Sequence, residues 1–406
     1  MFRNGSGYID NNKLLQEVIS SGIIDIEAMK MQLEDMRKNE YFKQHKNKIW
    51  QGKNGDWYTY IPDEKKGRIL LKRKSESALK EAIIQFYRKQ EENPTIHALF
   101  SEWVNGKLSR NEIQKQTKDR YENDFNLYFQ DIMYENVLDV TEYDIEEFLL
   151  NSISKHNLTQ KAFSNMKTLV FGIFKLAKKK RIINYSITEI IHDMEISRKC
   201  FRKIIKTDEQ EVFSEEEMPI VINKLNDHLD LVNLGLLLVF KSGLRIGELC
   251  ALKKEDISDN KIFVNRTETK YKNGNNTMVY EVRDFPKTEA GIRTVYLPDS
   301  AKQIINRIKI QSSFNEYVFE QNGERIRSYV FNNRLKTICK QCGIHPKSPH
   351  KIRKTYGTIL LDNNVEESFI LSQMGHTNIN TTKNHYYRNR KSEKGKADTI
   401  NHVVGL

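Results

Sequence analysis

The feature that most constrains the fold is an apolar run from Leu231 to Phe240, in which Asn233 is the only polar side chain. A helix that is apolar on every side is buried on every side, and this run is only about half as long as a bilayer span. Ser242-Gly243 then breaks the helix, and a second helix starts near Arg245. The sequence therefore predicts a helical core in the C-terminal half.

The composition is that of a folded chain with several domains. The chain has 406 residues, of which 38% are hydrophobic and 30% are charged. This length fits roughly two to four domains, and the composition excludes an integral membrane protein. Four Cys do not make a disulfide framework, and the N-terminus has no apolar signal core. These features predict a protein of the reducing cytoplasm.

The charge balance is strongly basic. Lys and Arg exceed Asp and Glu by 66 to 54, which gives a formal net charge of +12. Such an excess favours a polyanionic partner, which is nucleic acid or an anionic membrane surface. The excess is also segregated, because residues 155–181 contain eight Lys and Arg and no acidic residue. This segregation favours a binding surface over uniform solvation.

The N-terminal part divides into a helical extension and a small mixed unit. Residues 1–47 are predicted to be short helices, and residues 48–93 to be three strands followed by a helix that Ser75 or Ser77 caps. A basic and aromatic β-ribbon can enter the major groove of DNA, and the alternative is a solvated sheet face. The candidate DNA-binding side chains are Lys53, Arg68, Lys72, Arg73 and Lys74.

Residues 94–195 are predicted to be helical. Four segments have a 3.6-residue apolar period: 96–104, 117–129, 143–151 and 159–180. The last segment also carries a row of basic side chains, which could lie across a phosphate backbone or belong to an ordinary solvated face. These candidates are Lys161, Lys167, Lys175, Lys178 and Arg181. The polar, weakly periodic residues 196–212 are predicted to be an extended linker.

The first two polar clusters of the C-terminal half surround Arg245 and Lys287. Arg245 lies among apolar residues, where it is costly to bury without an anionic partner, and Glu248 could hold it in place. Lys287 follows a predicted hairpin of strands Lys261–Asn265 and Val279–Asp284. Taken alone, Arg245 is explained as part of a structural ion pair with Glu248, and Lys287 as an ordinary surface lysine.

The next two clusters lie nearer the C-terminus. His350 and Arg353 share one face at a predicted helix start, where anions bind. His376 follows Gly375 at a helix end, and Tyr386 comes ten residues later. Taken singly, these residues are explained by exposed polar side chains, helix capping and aromatic packing.

In this order, the four clusters resemble the tyrosine recombinase (phage-type integrase) family. SGLRIGEL around Arg245 is similar to its first box, PKT-x-x-x-x-R around Lys287 to its hairpin lysine, and H-x-x-R with GHTNINTT to its second box. The resemblance implies a multidomain, mainly α fold with small β-sheets. Its parts would be an N-terminal helical extension (1–47), an arm-binding β-β-β-α domain (48–93), a helical core-binding domain (94–195), a linker (196–212), a mixed, mostly α catalytic domain (213–390) and a C-terminal tail for subunit contacts (391–406).

The resemblance also implies a reaction. The chain would be the integrase of a mobile genetic element, cutting and rejoining DNA through a 3′-phosphotyrosine and a Holliday junction. Family members place the nucleophile nine or ten residues after the second-box His. Position nine here is His385, so Tyr386 is favoured, with Tyr387 as the alternative. The catalytic residues would be Arg245, Lys287, His350, Arg353, His376 and the nucleophile Tyr386.

The implied partners are DNA and further proteins. The DNA partners are the core and arm attachment sites of double-stranded DNA, on which the chain would form a homotetramer. The protein partners would be an excisionase and a host DNA-bending protein, and the location would be the bacterial nucleoid. No cofactor or metal is expected, since arginines supply the positive charge and no carboxylate cluster indicates Mg²⁺. The alternatives are a type IB topoisomerase-like DNA-relaxing enzyme and a non-catalytic DNA-binding regulator with the same fold.

Overall fold

The computed structural model describes residues 21, 25–258, 260–273, 276–284, 289–312, 316–378, 380 and 387–404. The chain forms two compact units, one up to Arg202 and one from Lys203 onward. This boundary falls within the predicted linker. The predicted multidomain, mainly α fold with small sheets is confirmed.

The first unit contains a three-stranded sheet and seven α-helices in its described part. Its elements are α1 (Ile26–Gln44), β1 (Trp50–Gln51), β2 (Trp57–Asp63), β3 (Gly67–Arg73), α2 (Glu76–Glu92), α3 (Ile96–Ser109), α4 (Lys115–Tyr128), α5 (Glu142–Lys155), α6 (Gln160–Lys179) and α7 (Ile187–Asp193).

The small sheet is antiparallel in the order β1-β2-β3. Ser75 caps the helix that follows, because its hydroxyl accepts a hydrogen bond from the Ala78 amide. Leu79 and Ile83 of this helix are fully buried, with Trp57 and Leu71 of the sheet packed against their cluster. The predicted β-β-β-α order is confirmed.

The helical part of the first unit is organised around α6. Its apolar face, which includes Phe163, Leu169 and Ile173, is buried against α3 and α4. The four predicted helices are confirmed, and α3 and α5 each extend about one turn further than their apolar periods indicated.

The second unit contains most of the remaining secondary structure. Its elements are α8 (Asp208–Glu211), α9 (Glu217–Asn226), α10 (Leu231–Ser242), α11 (Ile246–Cys250), β4 (Lys261–Val264), β5 (Thr267–Lys272), β6 (Met278–Arg283), β7 (Arg293–Tyr296), α12 (Lys302–Gln311), β8 (Glu320–Gln321), β9 (Glu324–Arg325), α13 (Ser328–Gln341), α14 (Pro349–Asp362), α15 (Glu367–Met374) and α16 (Glu393–Val403).

The apolar run becomes α10, the central helix of this unit. It packs against α12, α13 and α14, and ten of its twelve residues are buried. Gly243 ends it in the left-handed conformation (φ 65°), which glycine adopts without a Cβ penalty. Arg245 follows directly as the residue that precedes α11. Among the described helices, none is long and apolar enough to cross a bilayer.

Two sequence predictions for this unit were wrong. The hairpin does not join 261–265 to 279–284: β6 pairs with β5, and β4 pairs with β7. Moreover, the predicted linker does not extend to residue 212, because α8 folds into the second unit and Glu211 is buried. Its carboxylate accepts hydrogen bonds from Lys351 and Lys354 of α14. These two lysines neutralise the charge of Glu211, which in the sequence looks like a linker residue.

Close packing at Gly172 gives a stability prediction. A Cβ atom there would lie 2.2 Å from Cε2 of Trp103, so Gly172→Ala must displace the indole. We expect it to lower the unfolding free energy of the first unit by about 1–3 kcal/mol, despite a gain of about 1 kcal/mol in helix propensity. All three Trp lie in this unit, so urea unfolding followed by Trp fluorescence measures the effect.

Gly106→Ala is the matched control, because it also replaces a helical glycine of this unit. A Cβ atom there meets only the end of the flexible Arg110 side chain, at 3.1 Å. This variant is expected to be neutral or slightly more stable than the native chain. Equal stability of the two alanine variants would contradict the packing at Trp103.

Candidate active site

Four of the six predicted catalytic residues lie in the described part of the second unit. They are Arg245, His350, Arg353 and His376, and the fold brings them together although 131 positions separate the first from the last. Lys287 and Tyr386 lie outside the described residues.

Arg245 is fixed but remains partly open to solvent. Its Nη1 donates to Glu248 Oε1 at 2.7 Å, and its Nη2 donates to the Gly375 carbonyl at 3.1 Å. The expectation that Glu248 holds this arginine is confirmed. Since 39% of the Arg245 side chain is exposed, a ligand in solution can approach its guanidinium.

Arg353 is fully buried at the start of α14. It donates to the Gly243 carbonyl at 2.7 Å and to the Met374 carbonyl. The two predicted boxes thus brace each other, because Arg353 bonds the turn before Arg245, and Arg245 bonds the turn before His376. Both turns contain a left-handed glycine, with φ of 65° at Gly243 and 60° at Gly375.

His376 takes its tautomer from Arg353. Nη2 of Arg353 lies 3.0 Å from His376 Nε2, and a guanidinium only donates. Nε2 is therefore the acceptor, which leaves the ring proton of the neutral histidine on Nδ1. A neutral His376 can donate a hydrogen bond through Nδ1.

Both histidines are neutral near pH 7. Burial and the charges of Arg353, Arg245 and Arg293 lower the pKa of His376 to about 3, although Glu248 opposes this shift. For His350, which lies on the solvent side of α14, desolvation and then the charges of Lys354 and Arg353 lower the pKa to about 4. A neutral histidine can accept a proton from a nucleophile.

Glu248 and Arg293 complete the cluster and were not among the predicted site residues. Arg293 begins β7 and binds both carboxylate oxygens of Glu248, at 3.0 and 2.8 Å. Burial alone would raise the pKa of Glu248, but the hydrogen bonds from Arg293 and the charges of Arg353 and Arg245 lower it to about 2. The signal for Arg293 was the arginine of PKT-x-x-x-x-R, whose burial the sequence does not reveal.

Arg245, Arg293 and Arg353 are here called the arginine cluster: the first two bond the ionised Glu248 carboxylate, and the charge of Arg353 also stabilises it. Three guanidinium groups against one carboxylate leave an excess of positive charge around a site that solvent reaches at Arg245. Arginine stays protonated at any working pH and binds phosphate oxygens bidentately. The arrangement is therefore suited to an anion with several oxygens.

The chain at Arg390, four residues after Tyr386, is connected through Phe213 to α14. Arg390 Nε donates to the Phe213 carbonyl at 3.2 Å, and the Arg390 carbonyl accepts from the Glu215 amide at 3.1 Å. The Phe213 amide in turn donates to Thr355 Oγ1 at 2.8 Å. Phe213 thus links the segment that follows Tyr386 to the helix that carries His350 and Arg353.

The predicted DNA-binding side chains lie on two surfaces of the first unit. On the sheet, Arg68 lies over the ring of Tyr60 and Lys72 over that of Tyr58, and Trp50 stacks on Tyr58. Lys53, Arg73 and Lys74 are exposed nearby. On α6 and just after it, Lys161, Lys175, Lys178 and Arg181 are exposed, and Lys167 is partly buried over Phe163.

The lowered pKa of His376 gives a prediction for stability. Between pH 6.5 and about 3, the unfolded chain binds a proton at this residue that the folded chain does not. Stability is therefore lost as the pH falls through this window, on the order of 1 kcal/mol per pH unit. In urea unfolding at pH 6.5 and 5, His376→Asn should lose less stability than the native chain.

His402→Asn, an exposed position on α16, is the control and should follow the native chain. An equal loss of stability in the native protein and His376→Asn would contradict a neutral, buried His376.

Comparison with known proteins found one matching family model and several similar proteins. Residues 211–393 match the model of the phage integrase family. A tyrosine recombinase XerC-like protein of Caldanaerobacter subterraneus subsp. tengcongensis is 32% identical over 48% of this chain and 54% of its own length. The prophage ps2 probable integrase of Lactococcus lactis is 29% identical over 40% of this chain and 46% of its own. The chain thus spans about half the length of these curated relatives.

Two solved structures share the fold. The Tn1549 transposon integrase, in complex with a circular intermediate DNA, covers 76% of this chain and 99% of its own with a TM-score of 0.55 and 18% identity. A lambda integrase tetramer bound to a Holliday junction covers 81% of this chain and 95% of its own with a TM-score of 0.51 and 14% identity. The segment that matches the phage integrase family model contains Arg245, His350, Arg353 and His376.

Proposed function

We propose that the protein is the integrase of a mobile genetic element, a site-specific recombinase that integrates and excises the element. It cuts and rejoins DNA strands through a 3′-phosphotyrosine and a Holliday junction. The observation that carries this proposal is the arginine cluster, which places excess positive charge beside two neutral histidines in the part of the chain that matches the family.

Arg245 and Arg353 are proposed to bind the scissile phosphate. Attack on a phosphodiester passes through a transition state with added negative charge on the non-bridging oxygens, and preorganised donors stabilise that charge. Arg353 is held by two main-chain carbonyls and Arg245 by Glu248 and a third carbonyl. Because neither needs to reorganise during the reaction, loss of one is expected to slow cleavage by about 10²–10³.

The proposed proton transfers use the remaining residues. Tyr386 forms the new bond to phosphorus, and neutral His350 accepts its phenolic proton. The bond from phosphorus to the 5′ oxygen breaks, and Lys287 protonates this leaving oxygen. His376 donates to the phosphate through Nδ1. The 5′-hydroxyl of a partner strand then attacks the phosphotyrosine and releases Tyr386, so the bond energy is kept.

The first unit is proposed to hold the core and arm attachment sites. Cations that lie over aromatic rings, as Arg68 and Lys72 do, form a sheet face that suits base edges and phosphates in a major groove. The basic residues of α6 suit contacts to a phosphate backbone. An excisionase, a host DNA-bending protein and a location in the bacterial nucleoid are part of the same proposal.

The nucleophile assignment gives a direct prediction. A nicked duplex from the native ends of the element should trap a covalent adduct with the native protein on a denaturing gel. Tyr386→Phe is expected to abolish the adduct, and the matched variant Tyr387→Phe to retain it. Loss with Tyr387→Phe alone would move the nucleophile by one residue.

Absence of an adduct from all three proteins despite tight DNA binding would contradict the recombinase proposal and favour a non-catalytic regulator. Relaxation of plasmids without any attachment site would instead favour a topoisomerase-like enzyme.

The tail is proposed to dock on a neighbouring subunit in a homotetramer on DNA. Ile400, Val403 and Val404 at the end of α16 are 61%, 70% and 64% exposed, and apolar side chains at this exposure suit an intermolecular contact. Deletion of 397–406 should abolish assembly on a four-way junction in gel-shift experiments while a single site is still bound. Normal recombination by the shortened chain would rule this role out.

A further inference from the structure

Arg293 is shielded from solvent, as Arg353 is, with only 4% of its side chain exposed, but unlike Arg353 it bonds the Glu248 carboxylate. Its Nε donates to the Gln373 carbonyl at 3.0 Å, and its Nη1 donates to the Gly291 carbonyl at 3.1 Å. Its two remaining bonds go to the two oxygens of Glu248. Because its donors are engaged inside the protein, Arg293 is placed to act through other residues rather than on a ligand.

These bonds join three segments of the candidate site. Glu248 belongs to the α11 segment that holds Arg245, Gly291 lies in the turn that follows the Lys287 segment, and Gln373 comes just before His376. The packing is tight, because a Cβ atom on Gly375 would lie 3.0 Å from Cδ of Arg293 and 2.8 Å from the Ala290 carbonyl oxygen. Arg293 is therefore part of the frame that sets the distance between these segments.

Arg293 also limits the bonds that the Arg245 guanidinium can make to the Glu248 carboxylate. It forms the two-pronged pair with the carboxylate, so the Arg245 guanidinium makes a single bond to this carboxylate, to Oε1 at 2.7 Å, while the Arg245 amide donates to Oε2 at 2.9 Å. Without Arg293, only the Arg245 amide would remain on Oε2, and the Arg245 guanidinium could bind both oxygens, since a carboxylate binds a guanidinium best through two parallel bonds. Arg245 would then turn its donors inward.

We propose that Arg293 is a positioning residue for DNA cleavage: it occupies Glu248 so that Arg245 keeps N–H donors directed to the scissile phosphate. This inference rests on the proposed recombinase function. If it is correct, loss of Arg293 slows cleavage because of the charge of Glu248, and neutralising Glu248 then restores part of the cleavage rate.

The test compares single-turnover cleavage of the nicked duplex by the full chain. Arg293→Met should slow cleavage by about 10- to 100-fold at saturating DNA, as expected for a displaced transition-state donor, while the Kd for DNA changes less than about threefold. Addition of Glu248→Gln should restore at least about tenfold of this loss, because a neutral amide does not capture Arg245. Two independent defects would instead add.

A second buried pair in the same unit provides the matched control. Arg325 and Glu268 have side chains only 7% and 1% exposed. They bond each other, the Cys250 carbonyl and the Ser328 amide, which are not parts of candidate catalytic residues. Arg325→Met, alone and with Glu268→Gln, should destabilise the fold in the same way but leave the cleavage rate within about threefold of native. All rates are measured at a temperature where circular dichroism shows each variant folded.

The possible outcomes separate this inference from the function on which it rests. No adduct from the native chain would overturn the proposed function itself. With an active native chain, the inference is overturned if Arg293→Met cleaves at the native rate, if Glu248→Gln brings no recovery, or if the Arg325 variants lose as much activity. Recovery confined to the Arg293 and Glu248 pair would establish it.

Discussion

The arrangement of the second unit depends on one buried carboxylate. Arg245 and Arg293 bond Glu248 and the charge of Arg353 acts on it, and a buried charge such as that of Glu248 or Arg293 is costly without a partner of opposite charge. These charges and hydrogen bonds lower the pKa of Glu248 to about 2, so it stays ionised across the working pH range. Because one carboxylate faces three guanidinium groups, the site is held together and still carries an excess of positive charge.

The turns at Gly243 and Gly375 fix where the arginines lie. The arginine of each predicted box donates to a carbonyl in the turn of the other box, from Arg353 to Gly243 and from Arg245 to Gly375. A side chain at Gly243 would collide with Tyr356, at 2.3 Å. Close packing of α10, α14 and α15 therefore requires the left-handed turns. This packing brings His376 into hydrogen-bonding contact with Arg353, which leaves the ring proton of the histidine on Nδ1.

Local patterns predicted the elements well, and contacts between distant segments explain where they failed. The buried helix α10, the β-β-β-α order and the four helices of the first unit follow from periodicity, caps and turn residues. The pairing of β4 with β7 does not, because 28 residues with a second hairpin lie between Val264 and Arg293. Four catalytic candidates were predicted from motif order and lie together, whereas their roles stay proposals.

The burial of two charged residues could not be predicted, because their partners lie far away in the sequence. Glu211 looks like a linker residue, yet it is buried because Lys351 and Lys354 neutralise it from α14. Arg293 looks like a surface residue of a basic hairpin, yet Glu248, 45 positions earlier, makes its burial possible. In both cases the sequence shows the charge and its local neighbours but not the counter-ion.

The residue through which the protein becomes linked to DNA is the central test of the proposed function. The most direct measurement is mass spectrometry of the peptide that stays attached to the 3′ phosphate after the native protein has cleaved a nicked attachment-site duplex. The proposed function predicts a phosphodiester link to the phenolic oxygen of Tyr386. A link to another residue, or cleavage that leaves no protein on the DNA, would contradict it.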